Sequence, residues 1–370
     1  MGYPIVECEE NGQFVVTKPD QTGGLVSSLT VSEQLVYEIG DPQAYFLPDV
    51  VCDFSAVTLT EEGANRVLVK GARGAAATDQ YKVSATYLDG YRATYTQLIT
   101  GFEATSKAQV TAEAVLKRCK GLFERLGYGD FRQSSISLLG ANALWNPAHF
   151  KVPEQLQEIV LRIAVHHDKR EAVSLFSREV MGVILNMTGG RCAAGAAGRP
   201  KVSPVIRLYS FLLDKEKVSG AVDVEGQSVS YRQVKGVPFD AEAIERPAIP
   251  EMVSIDEETR MVPLIELAVA RSGDKGNHAN IGVIARKPEY LDYISRALTE
   301  AAVAERFSHI LEGKVERFYL PGIRAFNFFL HDALGGGGVA SMNVDVQGKT
   351  YAQQLLMMPV TIPVNLIKNS

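Results

Sequence analysis

The sequence predicts an α+β protein, mixed α/β in its first part and closed by an α+β sandwich module at its C-terminus. Three observations carry this. β-forming runs broken by glycine turns fill the first hundred residues. Helical periodicity takes over between 105 and 185. The last hundred residues set strands apart from a block of helices. In chain order, residues 13–17 predict a strand and 21–24 a loop. Thr30 and Glu33 have capping-box spacing, which predicts a helix to Glu38 or Ile39, ended by a left-handed Gly40 and by Asp41-Pro42. Residues 66–69 predict a strand, and alternating β-formers over 81–87 and 91–96 flank Asp89-Gly90 as in a hairpin. Val115, Cys119, Leu122 and Leu126 lie on one helical face ended by Gly127. Leu156, Ile159, Val160 and Ile163 predict a second helix. Asp168 to Glu171 cap a third, which carries Val173, Phe176, Val180 and Ile184. Residues 222–227 predict a hairpin, echoed at 344–349 without similarity in the flanks.

Residues 237–260 contain Pro238, Pro247 and Pro250, with seven acidic residues against two arginines. This composition predicts a linker between a first domain (1–236) and a second (261–370). The second reads as strand 264–270, loop 272–277, strand 279–285, helices 288–297 and 299–307, strand 315–320 and a closing β-region from 341.

A length of 370 residues allows two or three domains at roughly 100–200 residues each. Hydrophobic residues make up 46% and charged residues 22%, which excludes a largely disordered chain. No apolar run approaches the ~18 residues of a membrane span. The start Met1-Gly2-Tyr3-Pro4 has no leader character, so a cytoplasmic location without membrane partners is expected. A net charge of −5 gives no electrostatic footprint for nucleic acid. Cys8, Cys52, Cys119 and Cys192 stand far apart, so no metal site is expected and the thiols are expected to be reduced.

Two stretches carry candidate chemistry. The first runs Arg271-Ser272-Gly273-Asp274-Lys275-Gly276-Asn277, where glycines present backbone N–H groups among a guanidinium, a hydroxyl, a carboxylate, an amine and an amide. Asp274 and Lys275 are candidates for proton transfer, and Arg271, Ser272 and Asn277 for holding an anion. A solvated turn is the plainer account of the same residues. The second is His331-Asp332 followed by Gly335, Gly336, Gly337 and Gly338. His331 is the best single base candidate, with Asp332 beside it, and the four glycines permit close approach of a ligand. A hinge is the alternative. Thr22, Gly23 and Gly24 form a weaker ligand-loop candidate, as does the Gly/Ala-rich loop 188–201.

Residues 267–277 with 279–286, residues 315–322, and residues 331–341 resemble the C-terminal motifs of the acyclic terpene utilisation (AtuA-like) family. Residues 2–7, 22–24, 37–42 and 47–50 resemble the middle of such proteins. The resemblance implies a ferredoxin-like C-terminal module and a part in bacterial breakdown of acyclic terpenoids such as citronellol and geraniol, whose later steps use acyl-CoA thioesters. Asn280 joins the substrate-binding candidates through this motif. Family members carry a glycine-rich α/β region ahead of the point where this chain starts. His278 stands where the family tends to carry a small acidic residue, and the front of the loop 189–199 departs from the family's form. The expected function is therefore an enzyme of branched acyl-CoA or carboxylic acid catabolism, a homo-oligomer using hydratase- or lyase-type acid–base chemistry without a cofactor. The alternatives are a non-catalytic binding or assembly subunit of a catabolic complex, or an inactive shortened form.

Overall fold

The structure, a computed structural model, describes residues 2–152, 156–193, 198–250 and 257–367. Residues 194–197 of the Gly/Ala-rich loop and 251–256 of the expected linker lie outside the described residues. Near the start, strands β1 (Ile5–Cys8) and β2 (Phe14–Thr17) join β3 (Thr58–Gly63) and β4 (Arg66–Lys70) in one antiparallel sheet. Between them runs α1 (Ser28–Leu35). Its capping box is made by Ser27 and Thr30, so the helix begins one turn earlier than Thr30-Glu33 suggests. It also ends earlier, and the left-handed residue after it is Glu38 (φ 57°) rather than Gly40.

The central sheet is built on β5 (Gln80–Thr100), a strand of 21 residues. It runs straight through Asp89-Gly90, where a hairpin was expected. Each half of β5 has another partner: β8 (Ser203–Asp214) along residues 80–92, and β7 (Glu158–His167) along 91–100. Asp89 takes ion pairs from Arg132 and Arg207, and its carbonyl meets His166 Nε2 at 2.5 Å. The long-range contacts thus hold extended a dipeptide that alone favours turning. The second correction is β7 itself, expected as a helix. Its run Glu158–His167 is β-branched and apolar, and it lies between β5 and β6 (Gln133–Leu139), where a central strand needs continuous burial. Helices α2 (Ala104–Leu126), ended by left-handed Gly127, and α3 (Arg170–Glu179) cover one face of this sheet. Phe123, Phe176, Leu161 and Ile163 are fully buried between them.

The C-terminal module opens with the hairpin β9 (Ala268–Lys275) and β10 (His278–Ala285). Most of the expected loop 272–277 is therefore strand, and only Gly276-Asn277 turn. Helices α4 (Leu291–Ala297) and α5 (Glu300–Arg306) follow, then β11 (Val315–Leu320) and β12 (Ala325–Leu330). The sheet order is β9-β10-β12-β11, antiparallel throughout. α6 (Tyr351–Leu355) and β13 (Pro359–Pro363), which pairs with Thr259–Pro263, close the module. The echo at 344–349 is not a hairpin. Asp345 accepts hydrogen bonds from the Gln347, Lys349 and Thr350 amides and leads into α6. The α+β expectation holds: α4, α5 and α6 bury Ile281, Phe326 and Phe328 on one face of this sheet.

The opposite face is covered by the first part of the chain. Val31 and Val36 pack with Ile284, Leu320 and Ala325, and a Cβ on Gly282 would overlap the Val36 side chain. The segment Val36–Gly40 is strapped down by a buried amide pair. Asn280 Nδ2 donates to Val36 O (2.6 Å) and to Asn327 Oδ1 (2.9 Å), and its Oδ1 accepts from the Glu38 amide. Asn327 Nδ2 in turn donates to Ile39 O and Gly40 O. No helix among the described residues is long and apolar enough to cross a membrane.

Candidate active site

The sequence candidates do not all meet. Asp274 and Lys275 alternate across the pleat of β9. Asp274 shares the face of Ser272 and accepts from Gln347 Nε2 (3.2 Å) and Lys349 Nζ (3.4 Å). Ser272 is buried and spends its hydroxyl on Gly348 O and the Ala352 amide. Arg271 stacks on the Tyr37 ring at 4.2 Å and donates to Gln34. Thr22 is tied to Pro19 O and Lys18, while Gly23 and Gly24 line an apolar cavity of about 430 Å³ with Pro4, Phe14 and Leu25. That cavity shares no lining residue with the histidines described next.

The residues that do converge stand at the turns joining β9 to β10 and following β12. Gly276, with φ 66°, lets the chain reverse in two residues. Asn277 then becomes a hub. Its carbonyl accepts from the Ala333 and Leu334 amides, its Oδ1 accepts from the Gly336 amide (2.6 Å), and its Nδ2 donates to Asp332 Oδ1 (2.9 Å). The two stretches that carry candidate chemistry are thus in direct contact. Three of the four glycines have backbone reasons: Gly335, Gly336 and Gly337 all have positive φ, and a Cβ on Gly337 would stand 2.5 Å from Gly276 O. Gly338 has no such need, since its nearest atom would be 3.7 Å away.

Beside this hub lie two imidazoles, with ring centroids 5.1 Å apart and Phe329 against both. His278 Nδ1 accepts the Asp332 amide at 3.0 Å, so in the neutral ring the proton sits on Nε2. Burial lowers the proton affinity of His278 below the ordinary histidine value. Nearby His331 and Lys82 act in the same sense, and Asp332 opposes them. His331 Nε2 contacts Glu316 Oε2 at 2.6 Å. Burial pushes the Glu316 carboxyl up, but hydrogen bonds from Lys314 and His331 outweigh it and hold the group below its usual range. An ionised carboxylate only accepts, so His331 carries its proton on Nε2 and, when neutral, presents a bare Nδ1. Glu316 also borders a groove of about 510 Å³ with Arg246, Lys314 and Phe318.

The sequence did not single out Glu316, because only the β11–β12 register brings it level with Phe329 and hence beside His331. Lys82 was missed because it lies on β5, far from His278 in the sequence. His278 was noticed only as a departure from the family pattern.

Two family models match the chain. Residues 1–224 match the acyclic terpene utilisation family protein AtuA, and residues 262–361 match the AtuA ferredoxin-like domain. The chain belongs to the AtuA family. Searches of curated proteins and of solved structures returned no match. In this AtuA-family chain, His278 and His331 both fall within the matched ferredoxin-like domain.

The His278 environment has a measurable consequence. A histidine whose proton affinity is depressed by folding binds more protons unfolded than folded. Stability is then fully present above the unfolded value near 6.5 and falls as pH drops below it, levelling off under the folded value. Carboxylates held low, such as Glu316 and Asp89, act in the same direction, losing stability as pH falls, but at lower pH, below about 4.5. The urea midpoint should therefore decline between pH 7 and 5, and a His278→Asn variant should show a shallower decline.

Proposed function

We propose that this chain is an enzyme of acyclic terpenoid or branched acyl-CoA catabolism working by general acid–base chemistry of hydratase or lyase type. The observation that carries the reading is the pair of adjacent imidazoles whose nitrogens without a partner among the described residues are of opposite kind, Nδ1 of His331 and Nε2 of His278. His331 Nδ1 is the base, oriented by Glu316. His278 Nε2–H is the donor. In a dehydration, the proton beside the thioester carbonyl passes to His331 and its electron pair forms the carbon–carbon double bond. The hydroxyl leaves as water with the proton from His278. Hydration is the reverse. No cofactor takes part in this scheme. Asn277 and Asp332 hold the geometry, and Lys82 supplies positive charge toward an anionic substrate. The cavity lined by Gly23, Gly24 and Leu25 has the apolar surface that a branched chain needs, at a second place on the molecule.

The test is solvent exchange. The protein incubated in D₂O with a panel of methyl-branched acyl-CoA and enoyl-CoA thioesters should incorporate deuterium beside the carbonyl and interconvert hydrated and dehydrated forms. If neither exchange nor interconversion occurs with any member of the panel, the reading falls. The assembly-subunit reading is favoured by one observation, that the positive φ at Gly335, Gly336 and Gly337 serves the chain's own path.

The reading includes a cytoplasmic homo-oligomer. All four cysteines are free, which suits a reducing compartment. The ribbon formed by residues 80–88 of β5 and 206–214 of β8 has no further strand partner on either outer edge among the described residues, and exposes Tyr87 (50%), Tyr209 (60%) and Leu212 (64%). An antiparallel copy of the same ribbon can pair with such an edge about a two-fold axis, and Arg207 and Asp214 near opposite ends of β8 would then approach their opposites. A Tyr209→Lys, Leu212→Lys variant should shift from dimer or higher to monomer in light scattering. An oligomer with unchanged mass would remove the ribbon as the contact.

A further inference from the structure

The outer face of the central sheet, opposite α2 and α3, carries Arg92, Thr94 and Thr96 from β5, Arg162 from β7, and Ser135 and Ser137 from β6. The registers Thr96–Arg162–Ser137 and Thr94–Ala164–Ser135 set them side by side. Both guanidiniums reach the same three-residue stretch of the glycine loop's far end. Arg92 Nη1 donates to Ser341 O (3.3 Å), and Arg162 donates to Met342 O (2.8 Å) and Asn343 O (3.4 Å). Neither has a carboxylate within ion-pair distance among the described residues, whereas Arg132, just ahead of β6, pairs with Asp89 and Asp168, and Arg207 on β8 pairs with Asp89. Burial, together with the positive charge of Arg92, weakens the hold of Arg162 on its proton. Two converging cations without a counter-ion are an unfavourable arrangement on their own. An anion bridging them would relieve it, and the four hydroxyls, which bond to no group among the described residues, supply donors for its remaining oxygens.

We propose that Arg92 and Arg162, with the hydroxyl floor of Thr94, Thr96, Ser135 and Ser137, bind a phosphate or diphosphate group of a ligand. Under the acyl-CoA reading above, on which only this choice of ligand rests, that group is the coenzyme's diphosphate.

The test measures binding without turnover, by calorimetry at low salt, with coenzyme A, inorganic pyrophosphate and a branched free acid as probes. Coenzyme A and pyrophosphate should bind the wild-type protein, with affinity falling as salt rises. Arg92→Met should weaken both by roughly tenfold to a hundredfold, the range of one charge-assisted contact. The free acid should be insensitive to the substitution. Because Arg162 also ties the loop, Arg162→Lys, which keeps the charge, is its conservative companion and should lose less affinity than Arg162→Met. Binding of pyrophosphate without coenzyme A would keep the site and assign it to another phosphorylated ligand. Absence of binding by both probes, or equal affinity in the Arg92→Met protein, would overturn the proposal. A purely structural arginine would lower the thermal midpoint and leave affinity alone. Deuterium exchange with CoA thioesters is read separately, so loss of one reading leaves the other standing.

Discussion

A His331→Gln protein is expected to lose roughly 100- to 10,000-fold in the rate of deuterium exchange into branched acyl-CoA thioesters, the range that a positioned general base contributes. Glutamine retains a polar tip but offers no basic nitrogen. The contact with Glu316 at 2.6 Å keeps the imidazole ring oriented in the wild type, so Glu316→Gln tests the orienting role. An amide can meet His331 Nε2 through its oxygen or its NH₂, so the preference for Nε2–H weakens and a smaller loss, on the order of tenfold, is expected. His278→Asn removes the opposing donor and should slow hydration and dehydration more than simple exchange, because exchange needs only the base. That split distinguishes two functional imidazoles from one. His331 is part-buried against Phe329 and Glu316, so each variant's fold is checked by its urea midpoint before its rate is read. Equal exchange rates in wild-type and His331→Gln proteins would remove His331 as base and return attention to Asp274, which sits on the other face of the sheet.

The sequence's legibility varied with how local the deciding contacts are. α2 was readable because its stripe and Gly127 lie within one continuous stretch. The turn at Glu225-Gly226 was readable for the same reason: both residues take positive φ between Val222–Val224 and Gln227–Val229. Asp89-Gly90 was not, because the preference of two residues was overruled by strands far along the chain, Glu158–His167 and Ser203–Asp214. Residues 156–163 misled because a short apolar run has no period that separates a buried strand from a buried helix. At the candidate site, His331 and Asn277 stood out by residue type. The partners that give them chemical direction, Glu316 and the Asp332 amide, are set by register and by the turn at Asp332, which has φ 49°. Arg92 left no sequence signal, since an arginine among threonines on an alternating strand reads as an ordinary solvated face, and Arg162 fell in the run that was read as a helix.

Asn280 provides the sharpest separation between a structural and a ligand-binding role. As part of the glycine-rich hairpin motif it was a substrate-binding candidate, yet it is fully buried and its amide has three protein partners. Alanine there would leave the Glu38 amide, the Val36 carbonyl and Asn327 Oδ1 each short of a partner in a site without water access. At ~1–3 kcal/mol for a stranded buried group, partly offset by local relaxation, the expected loss is about 3 kcal/mol. Asn327→Ala strands its own set, Ile39 O and Gly40 O, and should cost a similar amount. Because the two amides share one bond, the double variant should cost less than the sum. The strap Val36–Gly40 also carries Tyr37 and Glu38, which meet Lys349 across the edge of β9, so its release should expose Tyr37 to solvent and raise amide exchange over residues 36–40. Arg271→Ala is the contrasting control: Arg271 is exposed and holds Tyr37 only from outside, so its stability change should stay within about 0.5 kcal/mol. A ligand-binding Asn280 predicts the reverse pattern, with affinity lost and the urea midpoint unmoved. A midpoint unchanged in Asn280→Ala would therefore discard the strap and restore Asn280 to the substrate.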